Sequence, residues 1–308
     1  MRFSTLRQLA ERCREEQVTI GQFMLNEQAF ETGESKTTIV TQMTDYYTVM
    51  KEAVRRGLEH PQPSRSGLTG GDAARVRQYM DRPDGTLLGN DASRALTYAL
   101  SVSEVNASMG KIVATPTAGS CGIIPGVFVS AQQRYCWADD RLVMGLFCAG
   151  AIGYVIANNS FISGAEGGCQ AEIGSAVAMA AGAMTELLGG TPEQAVHAVG
   201  LALKNSLGLI CDPVGGLVEI PCIVRNGFGA VTALAAADMA LAGVRSVIPT
   251  DEVIEVMHET GRAMPDIYRE TAKGGLAGTP TGRKLAKELF SHENGHQNAD
   301  VPPEGGQR

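Results

Sequence analysis

The chain has 308 residues, 33 acidic against 26 basic, and 44% apolar residues with only 5% aromatics. That length builds one large domain or two small ones around an ample core. The acid excess, a net charge of −7, leaves no basic surface for nucleic acid or an anionic membrane. Seven cysteines, an odd number, come without a secretory signal and imply free thiols in a reducing, cytoplasmic setting.

Helical spacing opens the chain. Phe3, Leu6, Leu9, Ala10 and Cys13 predict a helix over 3–16, and Ile20, Phe23, Met24 and Ala29 a second over 19–30. A third is expected over 36–58, with Gly57 near its end as a stop signal. His60 to Asp72 is a breaker-rich loop, followed by a helix from Asp91 to Asn106. From residue 108 the pattern changes to long Ala/Gly-rich apolar helices, separated by Gly/Pro loops at 109–126, 158–171, 211–222 and 272–282.

The longest uncharged apolar run, Leu142 to Ala157, has 16 residues, short of the roughly 20 a bilayer needs. Phe228 to Ile248 is long enough but carries Asp238 and Arg245, so both stretches read as buried helices. Thr191-Pro-Glu-Gln194 has the form of a capping box with proline in the first turn. No stretch sustains a period of two. The expected fold is all-α, a bundle-like helical module with its Gly/Pro-rich loops gathered at one end. Residues 1–107 form short amphipathic helices, 108–290 the Ala/Gly-rich core, and 291–308 a polar, disordered tail.

Three cysteines stand out because they lie in turn-forming loops: Gly164-Ala-Glu-Gly-Gly-Cys169, Cys211-Asp-Pro-Val-Gly-Gly, and Glu219-Ile-Pro-Cys222. A thiol in such a loop is placed to project at something, and three thiols without an equivalent fourth suggest a metal site with one open position. The alternative is that they pack as small hydrophobes. Cys13 and Cys148 lie on apolar helical stretches and Cys136 at a helix end. Cys121 is a reserve ligand.

The loop at 115–120, with Thr117, Gly119 and Ser120 ahead of an apolar helix, offers N–H and hydroxyl donors to an anion such as a substrate carboxylate. The alternative is a plain connecting loop. Loop 67–72, Gly-Leu-Thr-Gly-Gly-Asp, is similar, and neither is a phosphate-cradling Gly-x4-Gly-Lys-Ser/Thr loop. Histidines are few and no Ser/His/Asp set exists, which disfavours a hydrolase.

Taken together, Gly67-Leu-Thr-Gly-Gly-Asp-Ala73, Asn106-Ala-Ser-Met-Gly110, Ala114-Thr-Pro-Thr-Ala-Gly-Ser120, Gly167-Gly-Cys-Gln-Ala-Glu172 and the run Cys211 to Asn226 closely resemble the iron–sulfur-dependent L-serine dehydratases. The resemblance covers about 15–290, in the order of the α subunit of the two-subunit form. It implies an all-helical module holding a [4Fe–4S] cluster through Cys169, Cys211 and Cys222, the fourth iron acting as a Lewis acid on the hydroxyl of L-serine.

Within that resemblance Thr117, Gly119, Ser120 and Arg225 are expected to bind the substrate, and Lys111 and Ser120 to serve the chemistry. Lys111, His60 and Glu172 are each conceivable as the α-proton base. The family's Ser-Ser-His-Thr-type segment is missing here, so a separate β subunit is expected to complete a hetero-oligomeric enzyme. Competing expectations are β-elimination from threonine or cysteine, pyridoxal phosphate chemistry on Lys111 or Lys204, and a non-catalytic metal or iron–sulfur scaffold.

Overall fold

The computed structural model describes the backbone of residues 1–297 and side chains through residue 289. Among the described residues the fold is all-α. Its helices are α1 (Leu6–Glu16), α2 (Ile20–Thr32), α3 (Lys36–Glu59), α4 (Asp72–Met80), α5 (Gly89–Ala107), α6 (Ile123–Tyr135) and α7 (Asp139–Asn159). There follow α8 (Gly164–Gly167), α9 (Ser175–Leu187), α10 (Pro192–Lys204), α11 (Cys222–Leu241), α12 (Thr250–Ala263) and α13 (Pro280–Gln297). The only β-type pairing among the described residues is an isolated parallel bridge between Cys211 and Arg269.

Helix α9 forms the axis. Its sequence, Ser-Ala-Val-Ala-Met-Ala-Ala-Gly-Ala-Met-Thr-Glu-Leu, is apolar on every side, and all of it except Glu186 is buried. A helix apolar all round needs neighbours all round; α6, α7, α10 and α11 supply them. The small side chains let these axes come close. The same device joins α5 and α6, where a methyl group on Gly126 would meet the Ala99 nitrogen at 2.7 Å and the Ala95 carbonyl at 2.8 Å. Gly126→Ala therefore destabilises the fold by about 1–3 kcal/mol despite alanine's better helix propensity. A lowered urea midpoint at unchanged slope checks it.

Boundaries depart from the sequence reading where caps decide them. Helix α7 extends past the apolar run at both ends, because Asp139 and Asp140 fit a first turn. At 21 residues it is the one described helix long and apolar enough to cross a bilayer; 61% of its apolar window is buried inside the protein, against α2, α3 and α9. The stretch 228–248 is not one helix. Helix α11 stops at Leu241 and Gly243 turns the chain at φ 91°, leaving Val247 and Ile248 exposed. The Thr191 capping box is present as expected. Of the polar stretch 291–308, residues 291–297 continue α13 and 298–308 lie outside the described residues.

Candidate active site

Three helices begin side by side. The turn Ala118–Ser120 leads into α6, the π-helical turn Gln170–Gly174 leads into α9, and Cys222 is the first residue of α11. Asn226, fully buried on α11, ties two of these starts together. Its Nδ2 donates to the Gly119 carbonyl at 2.7 Å and to the Cys222 carbonyl at 2.9 Å, while its Oδ1 accepts from Gly122 N–H. Helix starts carry free N–H groups and a positive dipole end, so three of them together favour negative charge.

The three loop cysteines meet here, each buried. Cys169 directly precedes the π turn, a local widening of the helix frequent at functional sites. Cys211 is pinned by two backbone bonds, its N–H donating to Tyr268 at 2.8 Å and its carbonyl accepting from Glu270 at 2.9 Å. The Cys211 thiol shares a hydrogen bond with Cys169, and Arg225 lies beside Cys169. Together these hold the Cys169 thiol below its ordinary pKa, whereas Cys211, which keeps the shared proton, is pushed up. Burial and the charge of Cys169 raise Cys222. No three His, Cys, Asp or Glu side chains among the described residues close around a single ion.

Arg225 is held fast rather than free. Its guanidinium donates to Asp212 Oδ1 and to the Ile210 carbonyl, both at 2.9 Å, and Asp212 also accepts from Leu276 N–H. The pair braces the Cys211 loop from inside, with Asp212 only 2% exposed. Breaking such a pair leaves an uncompensated buried charge.

The donors expected in loop 115–120 are present, and the chain's own carboxylate occupies them. Thr117 Oγ1 and Gly119 N–H both donate to Glu172. A methyl group on Gly119 would lie 2.5 Å from that carboxylate and force Glu172 to move. Burial raises the Glu172 pKa, with the hydroxyl of Thr117 acting against it. Ser120 is fully buried and turned inward, donating to the Thr115 carbonyl at 3.1 Å and accepting from Thr117 N–H. It shapes the turn. Lys111 is exposed and forms no ion pair among the described residues, on the segment leading to Thr117.

Cys121 is fully buried in the core, and burial together with Glu172 pushes its thiol up to about 12. His60 lines a separate 390 Å³ groove with Arg55, Arg56 and Ser108. His258 stacks on Phe161. Loop 67–72 serves the site indirectly: Thr69 and the neighbouring Ser66 donate to Glu219, which lies between Cys211 and Cys222.

Sequence reasoning missed Asp212, the positioning by Asn226, and Glu270. Asp212 and Asn226 lay within the quoted motif. Glu270 had no signal, because only the bridge to Cys211 brings it in.

A family model described as serine dehydratase alpha chain matches residues 15–277. The probable L-serine dehydratase alpha chain of Bacillus subtilis is 49% identical over 288 residues, 94% of this chain and 95% of that one. The L-serine dehydratase alpha chain of Peptoniphilus asaccharolyticus is 41% identical over 287 residues, 93% of this chain and 98% of that one. L-serine dehydratase TdcG of Escherichia coli is 42% identical over 265 residues, which is 83% of this chain but 57% of that one.

Proposed function

The chain belongs to the serine dehydratase alpha chain family, and from that premise we propose that it is the α subunit of a cytoplasmic L-serine dehydratase that holds a [4Fe–4S] cluster. The observation that carries the reading is the meeting of Cys169, Cys211 and Cys222 at three helix starts, with unequal protonation and no fourth thiol among them. All seven cysteines are free, which suits a reducing compartment.

Serine must lose an α-proton and a β-hydroxide, and the resulting enamine hydrolyses to pyruvate and ammonia. Held by the three thiols, an iron–sulfur cluster would supply Lewis acidity toward the departing oxygen.

The remaining work falls to the chain. Cys169, Cys211 and Cys222 would hold the cluster, and the starts of α6, α9 and α11 stabilise its negative charge. Asp212 and Arg225 fix the Cys211 loop, and Asn226 keeps the 118–122 turn in register with Cys222. Thr117, Gly119 and Glu172 form the polar wall next to Cys169. We assign the substrate carboxylate to Lys111, which has no ion pair among the described residues; Thr117 and Gly119 join it where Glu172 releases them, and Ser120 and Arg225 hold the turn and the Cys211 loop in place. The α-proton base we assign to a separate β chain. Glu172 is engaged in its own hydrogen bonds, with Thr117 and Gly119.

The test is a Mössbauer spectrum of the anaerobic protein with its β chain, before and after L-serine. One iron of four is expected to change on addition of serine. A cluster indifferent to serine removes the dehydratase reading, and relative turnover of serine, threonine and cysteine fixes the substrate.

A further inference from the structure

Glu270 is held in an unusual backbone conformation at the edge of the cysteine site. Its φ is 59°, in the left-handed region that costs a residue with a side chain about 1 kcal/mol or more. Strain of this kind persists only where the surroundings enforce it, and it clusters at functional sites. The enforcing contact is the bond from Glu270 N–H to the Cys211 carbonyl, part of the bridge that also fixes Cys211.

The consequence is a carboxylate beside a thiol. A methyl group on Gly164 would lie 2.7 Å from Cys211 Sγ and 3.3 Å from Glu270 Oε2, so both flank one point in space. The other acidic groups at the site are satisfied: Glu172 by Thr117 and Gly119, Asp212 by Arg225 and Leu276. Glu270 is exposed, accepts no hydrogen bond and pairs with no cation among the described residues. The charge of Glu270 works against ionisation of Glu172, Cys211 and Cys222, and a cation arriving there relieves that repulsion.

We propose that Glu270 receives the α-ammonium of the amino-acid substrate and so distinguishes an amino acid from the corresponding hydroxy acid. The inference rests on the dehydratase reading and deepens it. A hydroxy acid, lacking the ammonium, brings a carboxylate toward an unpaired carboxylate; an amino acid brings the missing cation. A free iron ion, or a lysine or arginine of the β chain, are the other cations that Glu270 would attract.

The test uses the reconstituted two-chain enzyme with Glu270→Gln, which keeps size and removes charge. A hydrogen bond to a charged group is worth about 1.5–3 kcal/mol, so KM for L-serine is expected to rise about 10- to 100-fold. The Ki of L-glycerate should stay constant or fall, with iron and sulfide content unchanged. Equal weakening of serine and glycerate, or no change in either, overturns the proposal. Loss of iron makes Glu270 a metal-holding residue, and loss of the β chain makes it an interface residue; either outcome also overturns it. Failure of the unsubstituted enzyme to turn over L-serine removes the dehydratase reading instead, independently of the variant.

Discussion

Changing Cys169, Cys211 or Cys222 to serine, one at a time, is expected to abolish iron–sulfur loading and lower serine turnover by at least about 10³-fold. Lewis-acid stabilisation of a leaving hydroxide is worth several kcal/mol, and each 1.36 kcal/mol is tenfold in rate. Serine is close in size to cysteine but is a poor ligand for iron, so the lesion is chemical before it is structural. Cys136→Ser is the control: Cys136 is exposed at the end of α6, and its variant should keep both iron and activity. Iron and sulfide content, visible absorption and turnover read the result together. A Cys211 variant that retains four irons and full activity would remove the three-thiol assignment.

The second large effect concerns the partner. Purified alone and loaded with iron, this chain is expected to turn over serine at least about 100-fold more slowly than when mixed with its β chain, because a positioned general base contributes about 10²- to 10⁴-fold. Around the three thiols, Glu172 is hydrogen-bonded and favours its proton, Arg225 is paired with Asp212, and Ser120 faces inward. None of these is a free base, and the one carboxylate at the edge unpaired among the described residues, Glu270, is assigned to the substrate ammonium. The Escherichia coli relative carries additional sequence beyond the part that matches here, which is 57% of its length. Full activity from this chain alone would place the base within it, with Lys111 and Glu172 the first to substitute.

Much of this arrangement was legible before the structure. Periodicity located most helices, because the faces of α1 and α3 alternate at helical spacing. It failed over 228–248, where an apolar run continues past the end of a helix that a left-handed glycine stops. The three cysteines were identifiable because thiols in Gly/Pro loops are conspicuous. In loop 115–120 Thr117 and Gly119 do act as donors while Ser120 turns inward, and their occupant had no sequence signal, since Glu172 lies 55 residues from Thr117 and only the packing of α9 against α6 joins them. The same holds for Arg225. As a sequence feature it is a free cation next to Cys222; in the fold it is committed to Asp212.

The bridge between Cys211 and Arg269 ties the site to a segment nearly sixty residues further along the chain. Cys169, meanwhile, sits 42 residues before Cys211, and the Thr117 turn lies earlier still. No short stretch of this polypeptide contains the site, so none can assemble it early. The entropy of closing those loops is offset only when α6, α9 and α11 have docked. On the proposed iron–sulfur reading, the cluster is therefore loaded into a chain whose helices have already docked, and a pool of folded, unloaded chain can be called into service by iron supply without new synthesis.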